Sequence, residues 1–326
     1  AENSEGSDTR ALSIIISNPV EQTPVRYLDA DGKERFCTEY TVLESVIIED
    51  FFNSDSKWYD MPAGWYVVEG DVTITPRLDT HGAVNLILTD DCHLTVPWGI
   101  NVKEGDTFTI YAQSTAEASM GKLAACLPEW SDHDKSVWPV AGLSGIGAGV
   151  RVWAANDNFY ENEGTIIING GNIRARGQYG SSAIGGSHQD RNVSSDGDTP
   201  GNLRQGGSIT INGGTVKASS EGDGFGIGGA GVHHTAEMHI TINGGNIETT
   251  ANRNNAAIGD KSKQKSSVTI TGGVIHAVGK GSAAGIGSTG DIRITGGEIT
   301  VSAEGSGAAI GSIGGVDCKS ITINGN

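Results

Sequence analysis

The second half of this chain repeats one phrase, and the spacing of that phrase is the tightest constraint on its fold. A strand-like motif begins at Ile166 (IIINGGNI) and returns at Ile209, Ile240, Val268 and Ile292. Each copy is followed by Ala or Gly, then Ile, then Gly, with the isoleucine at Ile184, Ile227, Ile258, Ile286 and Ile310. From the first residue of the motif to that isoleucine the interval is 18 in every copy. Onward to the next motif it varies: 25, 13, 10, 6 and 11 residues, the last ending at Ile321. A constant arc joined by an elastic connector is the signature of a solenoid whose insertions leave from one shared corner.

The arc is β rather than helical. Ile292 and Ile294 flank Arg293, and Ile299 and Val301 flank Thr300. Period two with β-branched residues is strand chemistry. Between the two short strands stands Asn or Thr followed by Gly-Gly, which allows a sharp turn. The shortest complete repeat, Val268 to Ile292, is 24 residues, too short for two packed helices. These features predict an all-β chain, a right-handed parallel β-helix (β-solenoid), with stacked turns about 4.8 Å apart and isoleucine ladders inside.

Upstream, the pattern predicts a flexible lead over 1–10, an N-terminal cap over 11–63 with one short helix near Val42–Phe52, and the β-helix over 64–326. The early turns, 64–125, are poorer in glycine. Val72 and Ile74 return as Leu94 and Val96, Leu78 as Ile100, and Leu86 and Leu88 as Phe108 and Ile110, each after 22 residues. Loop-bearing turns follow over 126–206 and regular glycine-rich turns over 207–326. The chain begins at Ala1 and stops midway through a turn, ITINGN, which is expected of a piece of a longer surface protein.

Charge narrows the partners. A net charge of −17 and a pI near 4.8 argue against nucleic acid and make an anionic polymer a poor partner unless calcium intervenes. No apolar run reaches the ~18 residues of a membrane span; a lipid or C-terminal anchor would have to lie outside this chain. Cys37, Cys92, Cys126 and Cys318 lack any C-x-x-C spacing, so zinc is not indicated and single buried thiols are expected.

The tandem I-T-I-N-G-G-x-[IV]…A-[AG]-I-G-G pattern, preceded by GWYVVEGDVTI, LILTDDCHLTV and GINVKEGDTFTIYAQS, resembles the glycine-rich β-helical repeats of secreted and surface-anchored proteins of gut bacteria. Proteins of that kind are often described as carbohydrate-binding-like. The resemblance covers about Gly64 to Asn326 and implies the fold and an extracellular or cell-surface location. It brings no catalytic set, because the shared residues are structural Ile, Gly and Asn.

Candidate recognition residues therefore come from the insertions. Trp130, Trp138, Trp153 and Tyr160 lie in two aromatic-rich segments, and such rings stack on sugar faces. The longest connector supplies His188, Asp190, Arg191 and Arg204, and the next His233 and His234. If all connectors share a corner, these form one continuous rim. Asp196 and Asp198 are weak candidates for calcium in an otherwise cofactor-free protein; Asp-Gly-Asp is also an ordinary turn. No acidic row repeats on successive turns, so the leading expectation is non-catalytic binding of a polysaccharide or a host or bacterial glycan, as an adhesin would. A polysaccharide lyase or glycoside hydrolase using the same rim is the alternative, and a structural stalk or assembly subunit a second one.

Overall fold

The computed structural model describes residues 22–48, 58–126, 143–148, 150–153, 157–160, 163–178, 180–187, 207–229, 237–261 and 266–325. Within them every regular element is a strand. Three long parallel sheets, of ten, eight and nine strands, run the length of the molecule, and each turn contributes one strand to each sheet in rotation. One turn shows the scheme. Ser267–Ile270 belongs to the first sheet, Val274–Gly281 to the second and Ala284–Ser288 to the third, and Asp291–Ile294 re-enters the first. The protein is a parallel β-helix.

Period-two alternation places the core. In the first sheet Ile166, Ile209, Ile240, Val268 and Ile292 stack in register, as do Ile168, Ile211, Ile242, Ile270 and Ile294. Ile173, Val216, Ile247 and Ile275 do the same in the second sheet, and Ile184, Ile227, Ile258 and Ile286 in the third. All are buried in one continuous cluster. A fully buried isoleucine contributes about 2–3 kcal/mol, so four such columns account for why so short a turn holds its shape.

Glycine sets both corners. Gly214, at φ +85°, is one of the second glycines of the Asn-Gly-Gly turn, and a Cβ there would lie 2.5 Å from Gly171 O of the preceding turn. In the third sheet a Cβ on Gly185 would run into the Gly228 carbonyl one turn on. The Ala/Gly alternation before the third-sheet isoleucine is set by the following turn. Gly226 and Gly285 stand where a Cβ would strike the side chains of Thr249 and Val301. Ala218, Thr249, Ala277 and Val301 are register partners, so alanine occurs at Ala183 and Ala257, where the next turn offers only Ala218 and Ala277.

Several expectations change. The stack begins before Gly64, because Thr41–Val42 pairs in parallel with Gly64–Val68 and Trp58–Met61 with Arg77–Thr80. Residues 42–48, expected to open a helix, are extended, with Val46 bridging Ile74 in parallel; β-branched residues beside a free sheet edge pair rather than coil. The antiparallel hairpin Val25–Leu28/Glu34–Cys37 packs on the outward side of the first sheet, around Val67 and Ile87, not across the end of the core. Finally, Phe108 and Ile110 stack on Val84 and Leu86, a 24-residue register, not on Leu86 and Leu88. Val72, Ile74 and Leu78 keep the expected neighbours, since Val72 and Leu78 pair with Leu94 and Ile100. The two added residues fall at the elastic corner, around Lys103–Asp106, and an even slip leaves every side chain on its proper face.

Candidate functional site

Of the expected recognition residues, Trp130, Trp138, His188, Asp190, Arg191, Arg204, His233 and His234 lie outside the described residues, as do the calcium candidates Asp196 and Asp198. Trp153 and Tyr160 are placed by backbone only. Trp153 pairs with Asp157 and Tyr160 with Val150 in an antiparallel hairpin, Val150–Trp153/Asp157–Tyr160, that leaves the stack just after the third-sheet strand Ile146–Gly147. The segments 188–206, 230–236 and 262–265 leave at that same corner. The segment carrying Trp130 and Trp138 does not. It leaves between the second-sheet strand Lys122–Cys126 and Ile146, on the other side of the third sheet. The aromatic insertions thus depart from two corners, separated by a strand of two residues.

On that third sheet, two turns earlier, the described residues place a polar network that no sequence motif marks. Asp60, Asp79, Asn101 and Gly147 are register partners, and His81 and Lys103 follow two residues after Asp79 and Asn101. Asp79 is wholly buried. It accepts from Asn101 Nδ2 at 2.7 Å and from Lys103 Nζ at 3.3 Å. Lys103 Nζ also stands 3.3 Å from His81 Nδ1. An ammonium can only donate, so Nδ1 accepts and the imidazole proton sits on Nε2. That nitrogen faces Asp60 Oδ1 at 3.1 Å and Asp79 Oδ2 at 3.5 Å. Ligand-type atoms of Asp60, Asp79 and His81 lie within 4.8 Å of one another. The set nevertheless suits a metal poorly, because Nε2 would have to lose its proton and the cation would sit beside the Lys103 ammonium. The network is a charge-compensated brace on the sheet surface.

A second place has the shape of a binding site. Between the tip of the N-terminal hairpin and the Asn-Gly-Gly corner of the stack runs a groove of about 540 Å³ that crosses four successive turns. The tip, Asp29 to Gly32, is a built wall. Asp29 Oδ1 accepts from the Lys33 and Asp31 N–H groups, and Oδ2 from Arg35 Nε at 2.9 Å. Those bonds, the Lys33 N–H foremost, hold the Asp29 carboxyl below the usual carboxylate range. Behind the tip, Tyr27 packs against Trp65 and Tyr111 with ring centroids 5.0 and 4.8 Å away, and burial pushes the Tyr27 and Tyr111 hydroxyls up. This aromatic trio fixes the hairpin to the first sheet.

The floor is the corner itself. Gly213, Gly214 and Gly245 leave half-buried backbone along it, with buried Gly170 beside them, and Asn169 and Asn212 border them. The asparagines form a ladder: Asn212 Nδ2 donates to Asn169 Oδ1 at 2.7 Å, Asn243 Nδ2 to Asn212 Oδ1 at 2.8 Å, and Thr271 Oγ1 to Asn243 Oδ1 at 2.8 Å. Each of the two asparagine links takes one N–H of an amide that has two, which leaves Asn212 and Asn243 a second N–H each to donate. Ser114, Thr115 and Glu117 form the opposite wall, and Met120, Ala112 and Leu28 add small apolar patches. Among the described residues no Lys or Arg lines the groove. The sequence signal was present in the Asn of N-G-G, but its partner, the hairpin tip, lies far away along the chain.

The described thiols are all free. Cys37 and Cys92 are buried, as expected of single buried thiols, and Cys318 is half-buried. Among the described residues no helix is long and apolar enough to cross a membrane. No curated protein and no solved structure matches the chain. Four segments, 166–188, 209–231, 240–260 and 268–291, match a family model described as Beta helix repeat, each covering the fixed arc from the first sheet to the third, so these four turns are β-helix repeats.

Proposed function

We propose that this protein is an extracellular or surface-attached β-helix that binds glycans without cleaving them. The observation that carries the proposal is the groove between hairpin tip and Asn-Gly-Gly corner, a cleft of about 540 Å³ lined by amides, hydroxyls and half-buried backbone. A surface of hydrogen-bonding groups with small apolar patches is what a sugar chain presents in complement. The two aromatic insertions flanking the third sheet would add stacking surface for a second contact.

The test is retention on a panel of immobilised polysaccharides, with a parallel assay for new reducing ends and unsaturated products. Retention without turnover is expected. Turnover of any retained polysaccharide would replace binding with catalysis, and absence of retention across the panel would remove the glycan reading altogether.

A further inference from the structure

We infer that the groove takes a neutral, straight, equatorially linked polysaccharide, laid along the solenoid axis with about one sugar unit to each turn; the inference rests on the glycan reading above and specifies its ligand. The first argument is period. The groove floor repeats with the stacking distance of parallel strands, about 4.8 Å, because Asn169 and Asn212 hold equivalent places on adjacent turns and are bonded into one ladder. That distance is close to the rise of one pyranose in a chain linked through equatorial bonds, which runs straight. Axially linked chains coil and fall out of step with a linear row of donors.

The second argument is charge. Among the described residues the titratable side chains lining the groove are Asp29, Asp31 and Glu117, all acidic, and the chain carries −17 overall. Arg35 and Lys33, the nearest cations of the tip, are engaged on Asp29 and Asp31. With Asp29 and Asp31 so paired, a uronate or sulfated chain would still meet the Glu117 carboxylate and find no spare cation among the described lining residues, whereas hydroxyl-rich neutral sugars can donate to the carboxylates and accept from the ladder amides.

The third argument is surface. Steric demands of the fold exclude side chains from Gly213 and Gly214, which leaves a low floor on which the flat face of a sugar ring can rest. Four turns span about 15 Å at the strand spacing, room for three to four sugar units.

Isothermal calorimetry with β-1,4-linked glucose oligomers of two to six units, the α-1,4-linked tetramer and a galacturonate tetramer tests this on the whole chain. Affinity for the β-linked series is expected to rise to the tetramer and then level off, with the α-linked and anionic tetramers at least about tenfold weaker. Asn212→Leu should weaken the β-linked tetramer about tenfold, the loss of one or two hydrogen bonds. Glu117→Arg, on the exposed wall and away from the ladder, keeps the test alive if Asn212→Leu does not fold; it should recover binding of the galacturonate tetramer. Equal affinity for α- and β-linked tetramers would overturn the inference. Binding indifferent to both substitutions would also overturn it, moving the ligand elsewhere while leaving the glycan reading intact. Binding of no oligomer or polymer at all would overturn both.

Discussion

Removing the Lys103 ammonium should expose how much of the early turns depends on the Asp79 brace. The substitution Lys103→Met keeps the aliphatic stem and deletes the charge. At 3.3 Å from Asp79 Oδ1 and an effective dielectric of about 20, the attraction lost is about 5 kcal/mol. Lys103 keeps 25% of its side chain in solvent, which lowers the net effect to about 2–3 kcal/mol. Asp79 retains its Asn101 and His81 neighbours, so the turn should loosen rather than collapse. Asp79→Asn in the same chain removes the buried charge and keeps the Asn101 contact, and the double variant should recover at least half of the loss. Because solenoids can unfold turn by turn, a single melting curve would blur the effect. Hydrogen exchange of peptides spanning 77–81 and 100–103 reads it locally. The argument fails if Lys103→Met leaves exchange there unchanged, or if the coupling between the two substitutions is below about 0.5 kcal/mol.

Gly226→Ala should destabilise by about 1–3 kcal/mol, since its Cβ would strike Thr249 and come 2.7 Å from the Ala257 carbonyl; adding Thr249→Ala should relieve the first clash and so part of the loss, checked by urea unfolding of the single and double variants. By contrast Gly315→Ala, with φ +78° but nothing within 4 Å, should cost only about 1 kcal/mol. Trp65→Ala removes two of the three ring contacts of the Tyr27–Trp65–Tyr111 trio and should loosen the hairpin, seen as faster proteolysis between Leu28 and Arg35 with the β-helix core still protected. Burial pushes the Cys92 thiol up to about 11 from an ordinary 9.0. The unfolded chain therefore loses this proton first, and the contribution of up to about 2–3 kcal/mol is present below pH 9 and lost as pH rises toward 11. A pH series of unfolding curves for wild type and Cys92→Ala should diverge only in that window, and Cys318 should react with a thiol reagent well before Cys92.

What the sequence disclosed depends on how often a residue's task recurs. Ile240 and Val268 do the same thing one turn apart, so their spacing reveals the arc directly. Thr41 and Val42 join the first sheet through backbone pairing alone, without the Gly-Gly turn that marks later copies, and the start of the stack was misplaced. The 22-residue spacing carried Leu78 correctly onto Ile100 but not Leu86 onto Phe108, because a corner that absorbs residues leaves hydrophobic alternation untouched. The groove was hidden for another reason. Asp29 and Asn212 come together only because Tyr27, Trp65 and Tyr111 hold the hairpin against one particular side, and no local pattern encodes which side. Asp79, His81 and Lys103 were passed over since each is unremarkable in its own turn and meets the others only by stacking. The alternation of Ala183, Gly226, Ala257 and Gly285 is visible in the text of the chain, yet it acquires a cause only once Thr249 and Val301 are known to stand in the next turn.

The connectors between third and first sheets differ in length from 6 to 25 residues, two doublings. Closing the longer loop rather than the shorter one raises the entropic demand by only about 1 kcal/mol, less than one buried isoleucine returns. Lengthening, trimming or rewriting what hangs from that corner is therefore nearly neutral for folding. The scaffold can keep its interior unchanged while its rim diverges quickly, so descendants of one such gene would share a skeleton and differ in what they hold.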